Sequence, residues 1–181
     1  RVVYVAPVEK GSVPIAIKGR KEIPLNEIVK GHERPLEGTL IGIFMSPFDV
    51  HYQRSPIAVT VTEVTYHPSP HNHVMGSMFL RNLVGLEPLH AKSPHIYDNE
   101  RNVIRIDGED LTAYVIQIAD QQVNKIDCSV TEGDPVRIGE RIGMIRRGSQ
   151  VDLFVPRLRP GDFPGLAVGT KVRAGSTVLL S

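Results

Sequence analysis

Apolar residues recur at every second position through much of this chain. Ile57 to Tyr66 (IAVTVTEVTY) alternates most cleanly, the signature of a strand with one buried face. The same period runs through 1–7 and 12–18, joined by a turn at Glu9, Lys10 and Gly11. Residues 103–106 and 112–119 follow it too, with Asp107-Gly108 as a strong hairpin signal between them, and 125–130 adds another strand. GTLIGIFM (38–45) is continuously apolar and reads as a strand buried on both faces. Helical spacing is confined to short pieces, one around Asn26–Lys30 with Asn26 as its cap and one over roughly 75–84. The pattern predicts a single domain over 1–181, mostly β (a β-rich α+β fold) with few and short helices.

The last third changes rhythm. VTEGDPVRIGERIGMI and LAVGTKVRAGSTVLL share one form, short apolar stretches punctuated by glycine turns. This weak internal repeat resembles the barrel-sandwich layout of biotinyl and lipoyl carrier domains, so a barrel-sandwich-hybrid-like C-terminal part is expected. Between the copies lies GERIGMIRRGSQVDLFV (139–155), with apolar alternation on both sides of Gly148-Ser149. A glycine lets another group approach its carbonyl, and the following serine sets a hydroxyl beside that carbonyl. Such a hydroxyl can attack its own preceding peptide bond if the fold activates it. Gly-Ser at the tip of an ordinary turn is the plainer reading of the pair alone.

Composition narrows the choices. The hydrophobic fraction of 41% supports a core, and 21 Lys+Arg against 20 Asp+Glu leave a net charge of +1, with no basic run to suggest nucleic acid. One cysteine, Cys128, excludes an internal disulfide. No stretch approaches the ~20 apolar residues of a spanning helix. The chain opens on Arg1 rather than Met, which leaves room for a preceding segment. Residues 67–98 hold His67, His71, His73, His90 and His95 with several prolines, and a segment this long and aperiodic is expected at the rim of a functional site.

Taken together, IGIFMSPFDVHYQRSP (41–56), DNERNVIRI (98–106), YVIQIA (114–119), GERIGMIRRGSQVDLFVP (139–156) and VGTKVRAGSTVLL (168–180) resemble the short-form pyruvoyl-dependent phosphatidylserine decarboxylases, in that family's order. The resemblance implies a proenzyme cut between Gly148 and Ser149 into a large piece, 1–148, and a small piece, 149–181. Ser149 would become a pyruvoyl cofactor whose carbonyl takes the substrate amine and serves as electron sink for loss of carbon dioxide. It also implies phosphatidylserine or a similar phosphoserine lipid as substrate, a cytoplasmic protein peripheral to the membrane surface, and a homo-oligomer as a further option.

The resemblance gives the site candidates roles. His51 is the expected proton donor. Asp49, on the same side if 49–51 is a strand, orients or shields it. The family's N-terminal Pro-Ala-Asp-Gly turn has no match in Ala6-Pro7-Val8-Glu9-Lys10-Gly11, so Glu9 is the nearest carboxylate for activating Ser149. Arg54, Arg146 and Arg147 are candidates for the lipid phosphate or substrate carboxylate, or for surface ion pairs. Glu100 and Arg101 lie near the site as substrate contacts or a structural pair. The unmatched aspartate leaves a non-processing relative acting as a binding module as the alternative. His71-Asn72-His73 has the spacing of a zinc pair and is the basis of a third reading, a zinc hydrolase, but no His-x3-Asp pair accompanies it and no metal is assigned.

Overall fold

The computed structural model describes residues 1–15, 22–30, 35–86, 88, 90, 93–121, 126–145 and 149–180. In chain order the elements are β1 (Val2–Val8), β2 (Ser12–Val13), β3 (Ile23–Pro24), α1 (Leu25–Val29), β4 (Gly38–Met45), β5 (Tyr52–Arg54), β6 (Val59–His67) and α2 (Gly76–Val84). There follow α3 (His95–Asp98), β7 (Arg101–Asp107), β8 (Thr112–Ile118), β9 (Ile126–Cys128), β10 (Pro135–Val136), β11 (Arg141–Ile145), β12 (Ser149–Pro156) and a 3-10 turn at Pro160–Asp162. Strand dominates, as the alternation predicts.

Seven strands form one antiparallel sheet in the order β1-β4-β12-β8-β7-β6-β10. Its two faces are both covered, and the strand periodicity decides what each carries. Leu40, Phe44, Tyr114, Ile116 and Phe154 point to a layer made by α1, α2, α3 and the β2–β3 pair. Ile41, Leu153, Val155, Val115 and Ile104 point the other way, towards Ile142 of the small sheet β5-β11-β9 and the apolar residues of the C-terminal segment. Each fully buried Leu, Ile or Phe contributes about 1.5–3 kcal/mol relative to exposure, so this double layer is the main stabilising term.

Three expectations are corrected. The first helix is capped by Pro24, with Asn26 inside it and no side-chain cap bond. Proline has φ preset for a helix start, and it takes the boundary from the asparagine. The second glycine repeat, 166–180, makes turns but no strand, so the barrel-sandwich layout is not completed among the described residues. Gly169 donates its N–H to the Val2 carbonyl at 2.8 Å, while Leu166, Val172, Leu179 and Leu180 pack on the sheet as a strap. Third, 49–51 is not a strand, since β5 begins only at Tyr52 and 47–49 turns on the Asp49 carboxylate, which accepts the Ser46 N–H at 2.7 Å. The 16–18 end of the second predicted strand lies outside the described residues.

Candidate active site

Ser149 is the first residue of β12, an interior strand of the large sheet, and pairs with Met45 at the end of β4. It is fully buried, and its Oγ has no hydrogen-bond partner among the described residues. A buried hydroxyl without a partner costs about 1–3 kcal/mol, and in a native protein such a group calls for an explanation. Side chains of a strand alternate, so Ser149 faces the small sheet with Met45 and Val151, which pack with Ile126 and Ile145. Gly148, Arg146 and Arg147 lie outside the described residues.

His51 comes to the same rim on the chain leading into β5. Its backbone carbonyl accepts from Ile145 N–H (3.3 Å) and from Gln53 Nε2 (2.7 Å). That same Gln53 amide contacts Met45 Sδ at 3.9 Å, which ties His51 to the cross-strand neighbour of Ser149. Gln53 is held in turn by Gln117 Nε2 (2.8 Å), and Gln117 by Asn102 (2.9 Å), a buried amide relay from β7 through β8 to β5. Gly143 permits it, since a Cβ there would collide with Gln117 Nε2 and the Asp127 carbonyl.

The His51 ring is oriented by Nδ1 at 2.7 Å from the Asp49 backbone carbonyl. A carbonyl only accepts, so Nδ1 carries the proton and Nε2 presents a lone pair. Nε2 is buried and has no partner among the described residues. Two unsatisfied polar atoms, Ser149 Oγ and His51 Nε2, therefore belong to one rim. Asp49 does act on His51, through its carbonyl rather than its carboxylate as the strand reading expects.

The remaining candidates separate. Glu9 is exposed at the tip of the β1–β2 hairpin. Val8 pairs with Gly38 and Gly38 with Pro156, so Glu9 stands at the opposite end of β4 and β12 from Ser149, and does not reach it. Arg54 donates from Nη1 to the Gly139 carbonyl at 2.6 Å and lies against Gly175, holding together the glycine turns of the two repeats. Arg101 is fully buried and donates to the carbonyls of Glu27, Ile28, His95, Ile96 and Asn99, so it pins α1 and α3 to β7 instead of meeting a substrate. Burial pulls its pKa down to about 10, still well above neutrality. Glu100 bonds Tyr66, and its N–H donates to the Asn72 side chain at 2.8 Å.

The histidine-rich segment borders this rim. Met75 N–H donates to Asp120 Oδ1, just past β8, and Asn99 holds both ends of His73's peptide groups. His73 Nε2 meets Asp98 Oδ2 at 3.0 Å, an engagement that competes with a metal pair. Among the described residues no three His, Cys, Asp or Glu side chains gather as metal ligands.

Behind Ser149, on the other face of β12, lies a buried polar network that sequence reasoning missed. Tyr4 OH donates to Asp152 Oδ2 (2.5 Å), and Gln150 Nε2 reaches Asp152 Oδ1 (2.6 Å) and Tyr4 OH (2.8 Å). His95 Nε2 donates to Gln150 Oε1 at 3.2 Å. Burial pushes the Asp152 pKa up to about 6 against the opposing pull of these hydrogen bonds, and it lowers that of His95 to about 4.

A strand-initial serine, buried and without a partner among the described residues, thus shares a rim with a carbonyl-oriented histidine. The family model for phosphatidylserine decarboxylase matches residues 1–180, and the chain belongs to that family. It is similar to the phosphatidylserine decarboxylase proenzymes of Cereibacter sphaeroides (37% identity, covering 87% of this chain and 59% of the relative) and Chlorobium luteolum (31%, 96% and 72%). That of Thermobifida fusca is 40% identical over 78% of this chain and 56% of its own. The chain thus spans about three-fifths of the length of most of these relatives. No solved structure matches it.

Proposed function

We propose that this chain is the catalytic part of a self-cutting phosphatidylserine decarboxylase. The observation that carries the reading is the buried Ser149 Oγ at the head of β12, which has no partner among the described residues. In the cut, Ser149 Oγ bonds to the Gly148 carbonyl carbon and loses its proton, while the residue-149 nitrogen leaves with a proton, giving an ester. Removal of the Cα proton of residue 149 then expels the Gly148 carboxylate, and water releases ammonia to leave a pyruvoyl group at 149. That position suits the group: it is sealed from solvent, its side-chain oxygen has no competing partner, and an unsatisfied His51 Nε2 shares the rim. When formed, the group supplies an electron sink for decarboxylation.

His51 Nε2 is the atom that takes and returns protons, with Nδ1 locked on the Asp49 carbonyl. The substrate class is phosphatidylserine or a similar phosphoserine lipid, as the relatives' names say of them. Arg146 and Arg147, next to the cut, are the proposed partners for its phosphate, and Glu100 is the proposed carboxylate for its amine. Among the described residues no helix is long and apolar enough to cross a membrane. A peripheral position on the membrane surface fits the exposed Phe48 and Leu83, which flank the rim on the turn after β4 and on α2.

Denaturing mass spectrometry tests the cut directly. Wild-type protein is expected as two pieces divided at 148/149, and Ser149→Ala as one intact chain without decarboxylase activity. A wild-type chain that stays whole after long incubation with and without lipid would overturn the reading.

A further inference from the structure

We infer that Gln150 and Asp152, gripped by Tyr4 and His95, form a clasp that keeps residue 149 in register after the chain is cut. They are positioning residues for whatever group stands at 149, and the inference rests on the cleavage reading above.

In the uncut chain, residue 149 is tethered from both sides. After the cut it begins a separate chain, and free strand ends fray with little resistance. The ladder gives it one partner among the described residues, Met45 of β4, because pairing with β8 begins at Gln150 opposite Ile118. Its own side chain makes no bond among the described residues. What fixes it is the residue next to it. The Gln150 amide is tied at three points: Nε2 to Tyr4 OH and Asp152 Oδ1, and Oε1 to His95 Nε2. Asp152 accepts a further bond from Tyr4.

The division of these partners is the telling feature. Tyr4 and His95 belong to 1–148, whereas Gln150 and Asp152 belong to 149–181. Every bond from Tyr4 or His95 into the network crosses the line along which the chain would part. The holding groups are themselves fixed. The Tyr4 ring covers Gly42 so closely that a Cβ would overlap it, and its other side meets the His90 ring edge-on at 5.7 Å. The His95 carbonyl takes Arg101 Nη2 at 3.3 Å. An apolar contact would fill this volume more cheaply, since a buried carboxylate carries a desolvation cost, but it would fix no direction.

The test compares Gln150→Leu in two backgrounds, the cut protein and the uncut Ser149→Ala chain, by amide hydrogen exchange over 149–153. In the cut protein the substitution is expected to speed exchange there by roughly tenfold or more, and in the uncut chain by less than about threefold. Tyr4→Phe keeps the packing volume and is expected to show the same asymmetry in weaker form, which guards against a Gln150 variant that fails to fold. Equal losses in both backgrounds would make the network an ordinary structural contact and overturn the clasp, as would no loss in either. A folded Gln150→Leu chain that no longer cuts would put the network's role before the cut and overturn it too. An uncut wild type would instead remove the cleavage reading beneath it.

Discussion

At the scale of single residues, the site's chemistry turns on which atoms are left unsatisfied. His51 donates from Nδ1 to a backbone carbonyl, and so its useful atom is Nε2. His51→Ala is expected to lower turnover by about a hundredfold, the usual worth of a positioned acid–base group. Asp49→Asn should change turnover little, because the Asp49 side chain caps the Ser46 N–H and an asparagine can do the same. Steady-state kinetics of the two variants decide between a carbonyl and a carboxylate as the orienting group. Glu9→Gln is expected to cut at the wild-type rate, as the residue stands at the far end of β4. His95 gives a pH signature. Folded, burial keeps it neutral down to about 4, with the Arg101 charge and His73 adding to the effect and the Gln150 hydrogen bond opposing it, against an ordinary value of 6.5. Unfolded, it takes a proton near 6.5. Its contribution is therefore fully present above that pH and lost as the pH falls towards 4, on the order of 3 kcal/mol in all. Asp152, held above its unfolded value of 3.8, works in the opposite sense, because its native state binds the proton more tightly and gains stability on acidification below about 6. In the uncut Ser149→Ala background, His95→Gln should remove the first effect and leave the second. Its stability deficit against the parent should then narrow between pH 7 and pH 4.5 in urea denaturation.

At the scale of elements, Arg101 is the clearest case of a residue whose type suggested binding and whose place makes it structural. It holds five carbonyls on α1, α3 and the approach to β7. Arg101→Met should destabilise by roughly 3 kcal/mol or more, because the carbonyls remain buried without donors, and thermal unfolding would show it. The sequence already shows why such elements exist, in part. Period-two alternation reports a pleated strand whichever topology it joins, and so β6, β7, β8 and β12 are legible, while β4 is legible as a continuous apolar run. The helix over 75–84 is legible as well, and α2 occupies Gly76–Val84. Alternation does not tell a strand from a strap that dips apolar residues onto a core, and so 166–180 misleads. The Gln150–Asp152 network is hidden for a related reason. QVDLFV reads as one buried and one solvated face, but β12 is central and covered on both sides, which puts its polar residues inside. Ser149 and His51 are visible only through their family resemblance, since each alone is an ordinary turn or strand residue.

At the scale of the whole molecule, the proposed function requires that a lipid head group reach a serine sealed from water. β4 ends at Met45, β12 begins beside it, and α2 starts from a peptide held by Asp120 beyond β8. The turn after β4 and the helix α2 therefore leave from one edge of the sheet. Both carry exposed apolar side chains, Phe48 at 91% and Val50 on the turn, Leu80 and Leu83 (70%) on the helix. Exposed apolar groups grouped at one edge mark a contact surface more often than chance exposure does. The net charge is only +1, so on the proposed membrane-surface position attraction to an anionic bilayer would have little electrostatic component, and insertion of side chains would carry most of the binding. Sedimentation with phosphatidylserine-containing vesicles should then be largely insensitive to added salt. The Phe48→Ser, Leu80→Ser, Leu83→Ser triple variant should lose most vesicle binding and most turnover of bilayer substrate. It should keep turnover of a short-chain, water-soluble phosphatidylserine, because all three side chains are exposed whereas Ser149 is fully buried. Vesicle binding that vanishes with salt in the wild type, or survives in the triple variant, would show that this edge does not face the membrane.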